Sequence, residues 1–384
     1  MTTHLISSLR LGGIRLSSPI AGALAADSHS FLRQLEQLAL RQYVDVVDES
    51  SSLQGGVETV SFYLRPGLAQ VWAPGQDSTG LAAQLSLDTE HRAGDLEREI
   101  VLAMLLGPVA FEFPNHAELA CSVRVRRNTV LAARKTALAF HTSAAERPED
   151  CWTYDTARGF TVRPGQALIP ALVKASQPEV SGKRYSFSCY RATEYVLLLA
   201  LAQELEHNNP PLLAALQRQW ERRALMAEEF QRVFLREYGS LQAPLPLNYY
   251  VPGDRVWFRN PDAQSSDVAG YEGSWVIYLG SGLFSNFWTQ GRPYTLTAKC
   301  LELFHWRHAT YTAPSGELCI DESIVDARVK ASLADPAELA QILESMLQLR
   351  GPQGVYEFGG CLDASREYPR QLCPGSAGLV LPAA

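Results

Sequence analysis

The sequence predicts an α+β fold in which a buried helix packs against antiparallel strands. Residues 195–202 are apolar on nearly every side, which is typical of a helix buried on most of its faces. After residue 247 the hydrophobic period changes, and β-rich runs follow one another: NYYVPGDRVWFRNPD, SWVIYLG and LFSNFWTQ. Turn residues such as Pro252-Gly253 and Asn260-Pro261 separate these runs, which indicates an antiparallel meander.

Length and helix signals divide the chain into three predicted regions. The chain has 384 residues, which exceeds one ordinary domain of roughly 100–200 residues. Residues 1–94 form a predicted accessory N-terminal region with a helix near residues 31–43, where leucines recur at helical spacing. Residues 95–310 form the predicted catalytic core, which opens with the helix DLEREIVLAMLL and its stop Gly107-Pro108.

Capping signals predict two further helices, one in the core and one in the C-terminal region. Asn115 is the predicted N-cap of a long helix, and Glu118 is its predicted capping-box partner. Residues 311–384 form a predicted C-terminal helical tail, in which Asp335 and Pro336 mark the start of a helix. Roughly the last thirty residues are rich in glycine and proline, so we expect a wrapped or loose segment there.

Composition argues against a nucleic-acid partner and against a membrane span. The net charge of −7 disfavours a general nucleic-acid binder, and we expect the arginines of the Asn115-capped helix to form a solvated face. The longest apolar runs are shorter than the ~20 residues that a bilayer helix needs. The N-terminus lacks the apolar core of a secretory signal, so we expect a cytoplasmic protein, or one exported by a signal-peptide-independent route.

The cysteine pattern predicts free thiols. Seven cysteines lie at wide spacings without any CxxC pair. An odd number in a chain of this length does not fit a disulfide framework, and paired zinc-ligand spacing is absent. The sequence therefore implies no metal and no organic cofactor, and it leaves most thiols as small core residues.

Cys189 is the candidate nucleophile. Ser188 is the predicted N-cap of a helix that starts near Cys189 and ends at 208–210. The positive end of that helix, together with Arg191, is expected to lower the pKa of the thiol. Papain-like thiol enzymes place the nucleophile at the head of such a helix and take the base from the strands packed against it. The alternative interpretation of a single cysteine is a packed core thiol.

Several segments carry a family resemblance. YSFSCYRATEYVLLLA resembles the nucleophile segment of the bacillar spore-coat protein-glutamine gamma-glutamyltransferases, which are calcium-independent transglutaminases with an NlpC/P60-like, papain-type core. Further similar segments follow in the same order as in that family: GPVAFEF with HAEL, LAARKTAL, GDRVWFRNPD and GSWVIYLGSGLF. Together these segments span about residues 95–305.

The resemblance implies a thiol acyltransferase that acts on protein glutamine side chains. Cys189 would attack the glutamine carboxamide, expel ammonia and form a thioester. A lysine amine would resolve the thioester into an isopeptide bond, whereas water would complete a deamidation. The implied partner is a protein substrate that donates glutamine, with an amine or water as the acceptor.

The expected partners of the cysteine differ from those of the family. Ser188 stands where the family has a glutamate before the cysteine, and Ser274 stands in place of its main general base. Glu272, two residues earlier, is the proposed base, because residues two apart on a strand point the same way. Asn286 or Phe287 occupies the place of the family's histidine. Ser188, Ser274 and Asn286 are therefore possible supporting residues.

Other assignments of the base and of the function stay open. Alternative bases are Asp254, Asp267, His305 and His308. The two histidines form an HxxH pair without a third metal ligand in view, and Glu194 lies on a different face of the nucleophile helix. The tryptophans at 257, 275 and 288 either line a substrate site or pack in the core. The alternative functions are a catalytically silent binding or scaffold protein, and a cysteine amidase or peptidase.

Overall fold

The computed structural model describes residues 12–20, 22–48, 57–140, 145–351 and 360–382. Helices and antiparallel strands alternate in blocks, which confirms the predicted α+β class. In the described part of the chain, no helix is long and apolar enough to cross a membrane.

The N-terminal part contains a four-stranded sheet with strand order β2-β3-β1-β4. Its elements are β1 (Ile14–Ser18), α1 (Leu24–Gln37), β2 (Val44–Asp48), β3 (Glu58–Leu64), α2 (Leu68–Trp72), α3 (Leu81–Gln84), α4 (Ala93–Leu105) and β4 (Phe111–Phe113). The helix predicted near residues 31–43 instead spans Leu24–Gln37, with Leu24, Phe31 and Leu35 on its buried face. Phe31 packs edge-on against Phe62 of β3 at 4.8 Å between ring centroids.

The middle of the chain contains the two longest helices. The elements are α5 (His116–Lys135), β5 (Ala139–Phe140), β6 (Trp152–Asp155), β7 (Gly159–Val162), α6 (Leu168–Ser176), α7 (Pro178–Ser181), β8 (Ser186–Phe187), α8 (Cys189–Asn208), α9 (Pro210–Arg222), α10 (Glu228–Phe234) and β9 (Leu235–Tyr238). The predicted start and end of α8 are confirmed. Buried side chains lie on all sides of the middle of α8, as its apolar run predicts.

The last part of the chain supplies most of the central sheet and a helical layer. Its elements are β10 (Arg255–Arg259), α11 (Ala263–Ser266), β11 (Gly273–Gly280), β12 (Leu283–Phe284), β13 (Tyr294–Thr295), α12 (Leu296–Ala309), β14 (Thr310–Thr312), β15 (Leu318–Ile320), α13 (Glu322–Ala334), α14 (Pro336–Met346) and β16 (Arg366–Pro369). Asp335 caps α14 through the backbone N–H groups of Ala337 and Glu338, as predicted.

The central sheet has six strands in the order β13-β12-β11-β10-β16-β9, and its neighbouring strands run antiparallel. On β11, Ile277 and Leu279 belong to the core that contains α5 and α8. Val276 and Tyr278 point to the other face and pack in the core of α12. The sheet is thus covered by helices on both faces, and α8 lies directly against it in a papain-like arrangement.

The final segment joins the core. β16 lies between β10 and β9, with Glu367 opposite both Arg255 and Glu237. Leu372 and Cys373 are buried beyond the strand. Within the segment expected to be wrapped or loose, Arg366–Pro369 thus form a strand of the central sheet. The predicted domain boundaries at 94 and 310 stay predictions.

Two local expectations about α5 are wrong. Asn115 caps α5 as predicted, but the Glu118 carboxylate accepts hydrogen bonds from the backbone N–H groups of Leu372 and Cys373. The solvated arginine face is also absent at Arg126, which is buried and pairs with buried Asp254 at 2.7 Å. The side chains of Glu118 and Arg126 thus bind partners that are distant in the chain, which the local helix signal does not reveal.

Candidate active site

Cys189 is the first residue of α8 and retains partial solvent exposure. The Ser188 hydroxyl accepts from the backbone N–H of Arg191 at 3.4 Å, so Ser188 is the N-cap. A glutamate in this position would lose that short-range cap, which gives Ser188 a structural role beside the candidate nucleophile.

Four groups act on the Cys189 thiol, one of them from its own helix and three from other elements. The backbone N–H groups of Trp275 and Tyr190 donate toward the sulfur, and the cations of Lys299 and Arg255 act on it through space. Burial is nevertheless the largest effect and raises the pKa of the Cys189 thiol above its ordinary value, while these four groups oppose the rise. The sequence-based expectation of a lowered pKa is therefore wrong for the resting protein.

Arg191 does not supply the expected cation. Its guanidinium pairs with the buried Glu194 carboxylate at 2.6 Å. Glu194 also accepts from the backbone N–H of Ala227 at 2.7 Å. Burial raises the pKa of Glu194, which Arg191 and Arg255 partly offset. The local sequence signal thus identified a cation at the right helix end, but tertiary contacts direct it to a different partner.

Arg255 is the cation of β10 at the site. Its fully buried side chain donates to Thr193 Oγ1 of α8 at 2.8 Å and to the Glu367 carboxylate of β16 at 2.8 Å. The guanidinium carbon lies 3.9 Å from the Trp275 ring centroid and 4.4 Å from that of Tyr190. Three elements therefore hold Arg255 against the two residues whose backbone N–H groups face Cys189.

Lys299 is the cation of α12 at the site, and its side chain is almost fully buried. It donates to Glu302 and lies 3.7 Å from the centroid of the Tyr294 ring. Sequence reasoning missed both Lys299 and Arg255. The available signal was a single basic residue within each of the largely apolar segments LTAKCLELF and DRVWF.

Glu272, the proposed base, lies just before β11. Its exposed carboxylate accepts from the backbone N–H of Gly270 at 3.3 Å. Ser274 is buried on β11 opposite Phe258 of β10, on the sheet face that packs against α12. Gly273 between them allows close strand packing, because a Cβ there would collide with the Trp257 indole.

Asn286 and Phe287 stand where the resembling family has its histidine. Asn286 lies in a turn, and Phe287 is a core residue. The Asn286 side-chain oxygen accepts from the backbone N–H groups of Trp288 and Thr289, at 3.1 Å each. Phe287 is buried, and its carbonyl accepts from the backbone N–H of Leu138 at 2.7 Å. Asn286 thus orders the loop after β12.

The structure gives the alternative bases other surroundings. Asp254 is fully buried and accepts from Arg126, Tyr238 and the backbone N–H of Val251. Asp267 is exposed at the end of α11. Asp254 therefore belongs to a buried ion-pair network, whereas Asp267 lies on the surface.

The two histidines of α12 contact each other and the neighbouring helix. Their Nδ1 atoms lie 3.0 Å apart, and His305 Nε2 lies 2.8 Å from Ser332 Oγ of α13. Burial, and then the neighbouring His308, lower the pKa of His305 to about 4. His305 is therefore a neutral side chain of the α12–α13 contact at neutral pH.

Trp257 of β10 and Trp275 of β11 form a stacked aromatic pair near Cys189. The rings of Trp257 and Trp275 are stacked with centroids 5.3 Å apart, and Tyr190 meets Trp275 edge-on at 5.3 Å. Both indoles are partly exposed. Trp288 packs instead against Phe140, at 5.1 Å between ring centroids. The partial exposure of Trp257 and Trp275 is compatible with a substrate wall, which stays a prediction.

The fold and the site together define a papain-like α+β protein with a cysteine at the head of its central helix. The sequence model described as protein-glutamine gamma-glutamyltransferase matches residues 76–358, which is most of the chain. The chain therefore belongs to the protein-glutamine gamma-glutamyltransferase family and is a transferase of this type. The matched range extends beyond the 95–305 span of the resembling segments.

Individual relatives are bacterial. The protein-glutamine gamma-glutamyltransferase of Bacillus licheniformis is 25% identical over 197 residues, which cover 49% of this chain and 72% of the relative. A solved structure titled transglutaminase from Geobacillus stearothermophilus, without C-terminal extension, is similar with a TM-score of 0.39 and 21% identity. The similarity covers 56% of this chain and 98% of the solved one.

Proposed function

We propose that the chain transfers the acyl group of protein glutamine side chains through a thioester on Cys189. The observation that carries the proposal is the position of Cys189. Cys189 is a partly exposed residue at the N-terminus of α8, where two backbone N–H groups and two cations favour the charged form of its thiol. Such donors stabilise both a thiolate and the oxyanion that forms when a carboxamide is attacked.

The proposed chemistry proceeds in two acyl-transfer steps. The Cys189 sulfur attacks the carboxamide carbon, the C–N bond breaks, and the nitrogen leaves as ammonia with the proton from the thiol. A lysine amine then attacks the thioester carbon, forms the isopeptide bond and returns a proton to the sulfur. Water in place of the amine yields glutamate.

Glu272 is the proposed acceptor of the thiol proton. A base is required because the raised pKa of Cys189 keeps the thiol protonated at neutral pH. The carboxylate is exposed and accepts one long hydrogen bond, from the backbone N–H of Gly270, so a change of its rotamer breaks only a weak contact. Ser274 and Asn286 would support the site by packing and by ordering the loop after β12.

The test measures incorporation of a labelled primary amine into casein, and ammonia release without amine. Cys189→Ala should abolish both activities, whereas Cys319→Ala, at another partly exposed cysteine, should retain them. Glu272→Gln should lower kcat more than KM, because the base acts in the chemical step. Retained activity in Cys189→Ala would contradict the proposed nucleophile.

A catalytically silent binding protein is the second candidate, and two observations favour it. Ser274 stands where the family's main base is expected, and burial raises the pKa of the Cys189 thiol. Absence of both amine incorporation and ammonia release from the folded wild-type protein supports this candidate. Cleavage of casein peptide bonds that depends on Cys189 would instead indicate a cysteine peptidase.

A further inference from the structure

We propose that Glu367 is a positioning residue, which holds Arg255 against the rings of Tyr190 and Trp275 near Cys189, so that the C-terminal segment completes the active site. This inference rests on the proposed function of Cys189. Glu367 lies beyond residue 358, where the family match ends. It nevertheless reaches the site, because β16 inserts next to β10 and pairs Glu367 with Arg255 in register.

Arg255 needs a counter-charge in its surroundings. Its side chain has no exposed surface, and burying an unpaired guanidinium is costly. Glu367 provides that charge at 2.8 Å, and Gln231 donates to the same carboxylate at 2.9 Å. Burial raises the pKa of Glu367, and Arg255 partly offsets the rise. The ion pair thus balances the charge of the guanidinium and fixes its direction.

Thr193 is the second anchor of Arg255. With Nε bound to Thr193 and Nη1 bound to Glu367, the guanidinium plane is directed over Trp275. Trp275 supplies a backbone N–H to the sulfur, so movement of the guanidinium changes both the local field and the support of that donor. A change in the length of the side chain at position 367 therefore moves the Arg255 guanidinium and alters its effect on Cys189.

Other charged groups near this pathway stay unchanged in the Glu367 variants. The titratable groups that act on Cys189, Arg255 or Glu367 are Lys299 of α12, Tyr190 and Glu194 of α8, Glu237 of β9 and Asp363 before β16. Glu237 faces Glu367 across β9 and β16, and its exposed carboxylate accepts from Ser365. Glu237→Gln therefore removes a charge from the same part of the sheet and serves as the matched control.

The experiment compares Glu367→Asp with Glu367→Gln in the full chain. The readout is the iodoacetamide alkylation rate of Cys189 against pH, measured by peptide mass spectrometry with the other cysteines as internal references. The Asp variant keeps the charge but draws the guanidinium toward β16, so the inflection should rise. The Gln variant keeps an acceptor but removes the negative charge that offsets Arg255, so the inflection should fall.

Each shift should be about half a pH unit, which is roughly a threefold change in rate at pH 7.5, in opposite directions. Glu237→Gln should match the wild type. Unchanged profiles in both folded variants, or shifts in the same direction, overturn the proposal. Thr193→Val tests the second anchor in a variant of similar shape, and it should shift the inflection in the same direction as the Asp variant. An unchanged inflection in Thr193→Val also overturns the proposal.

The inference and the proposed function fail separately, because alkylation requires no substrate. Loss of amine incorporation in Cys189→Ala combined with an unshifted Glu367→Asp profile refutes only the positioning role. Retained incorporation in Cys189→Ala refutes the function of Cys189, whereas shifted Glu367 profiles would still show that Glu367 acts on the thiol through Arg255.

Discussion

Glu99 should make the stability of this protein depend on pH. The residue lies on α4 with no exposed surface, and its carboxylate accepts from the backbone N–H of Ser281 at 2.8 Å. Ser281 belongs to the tight turn between β11 and β12. Burial raises the pKa of Glu99 from 4.5 to about 7, against the lowering effects of Ser281, Arg134 and Tyr278.

The expected magnitude follows from this pKa. Because the folded state holds the proton more tightly, the contribution of Glu99 to stability is fully present below about pH 4.5. It is lost as the pH rises through about 7. A difference of about 2.5 pKa units corresponds to about 3 kcal/mol in the free energy of unfolding. Glu99→Gln lacks this titration and should gain stability relative to wild type as the pH rises.

Urea unfolding followed by tryptophan fluorescence can measure this effect between about pH 5 and about pH 8. The difference in unfolding free energy between Glu99→Gln and wild type should grow across the range toward about 3 kcal/mol. Met104→Leu on the same helix changes buried packing without an ionisable group, so its difference from wild type should be independent of pH. A pH-independent difference for Glu99→Gln would refute the reasoning.

Three further predictions concern the thiol, the buried ion pair and the C-terminal segment. Because burial raises the pKa of Cys189, iodoacetamide should label it more slowly than free cysteine at pH 7.5, and labelling at least as fast as free cysteine contradicts this. Asp254→Asn leaves Arg126 buried without its counter-charge and should cost about 3–5 kcal/mol in urea unfolding, whereas a cost below about 1 kcal/mol would argue against it. Glu118→Ala should speed hydrogen exchange at the backbone N–H of Leu372 but not within α8, and unchanged exchange refutes that tie.

Local signals in the sequence predicted the elements that carry the candidate nucleophile. Ser188 marks the start of α8 because its hydroxyl accepts from the backbone N–H of Arg191 in the first helical turn. Asn209 and Pro210 mark its end and the start of α9 for equally local reasons. The alternating runs of β10 and β11 likewise predicted two paired strands, because the side-chain period of a strand is set by its own backbone.

The surroundings of the thiol could not be predicted in the same way. Arg191 was the nearest cation in sequence, but the fold pairs it with Glu194 and brings Arg255 and Lys299 to Cys189 instead. The pKa of Cys189 follows from burial, which the helix N-terminus alone does not reveal. The surroundings and the pKa of the Cys189 thiol depend on groups from several elements, so no local sequence pattern predicts them.

The chain order of residues by itself determined the α+β class, the position of Cys189 at a helix start and the family to which the segments are similar. Only the tertiary structure decided that β16 enters the central sheet and that Glu367 meets Arg255. The physical reason is that caps, turns and periodicity depend on a few neighbouring residues. Strand insertion and buried charge pairing depend instead on which surfaces remain open after the rest of the chain has folded.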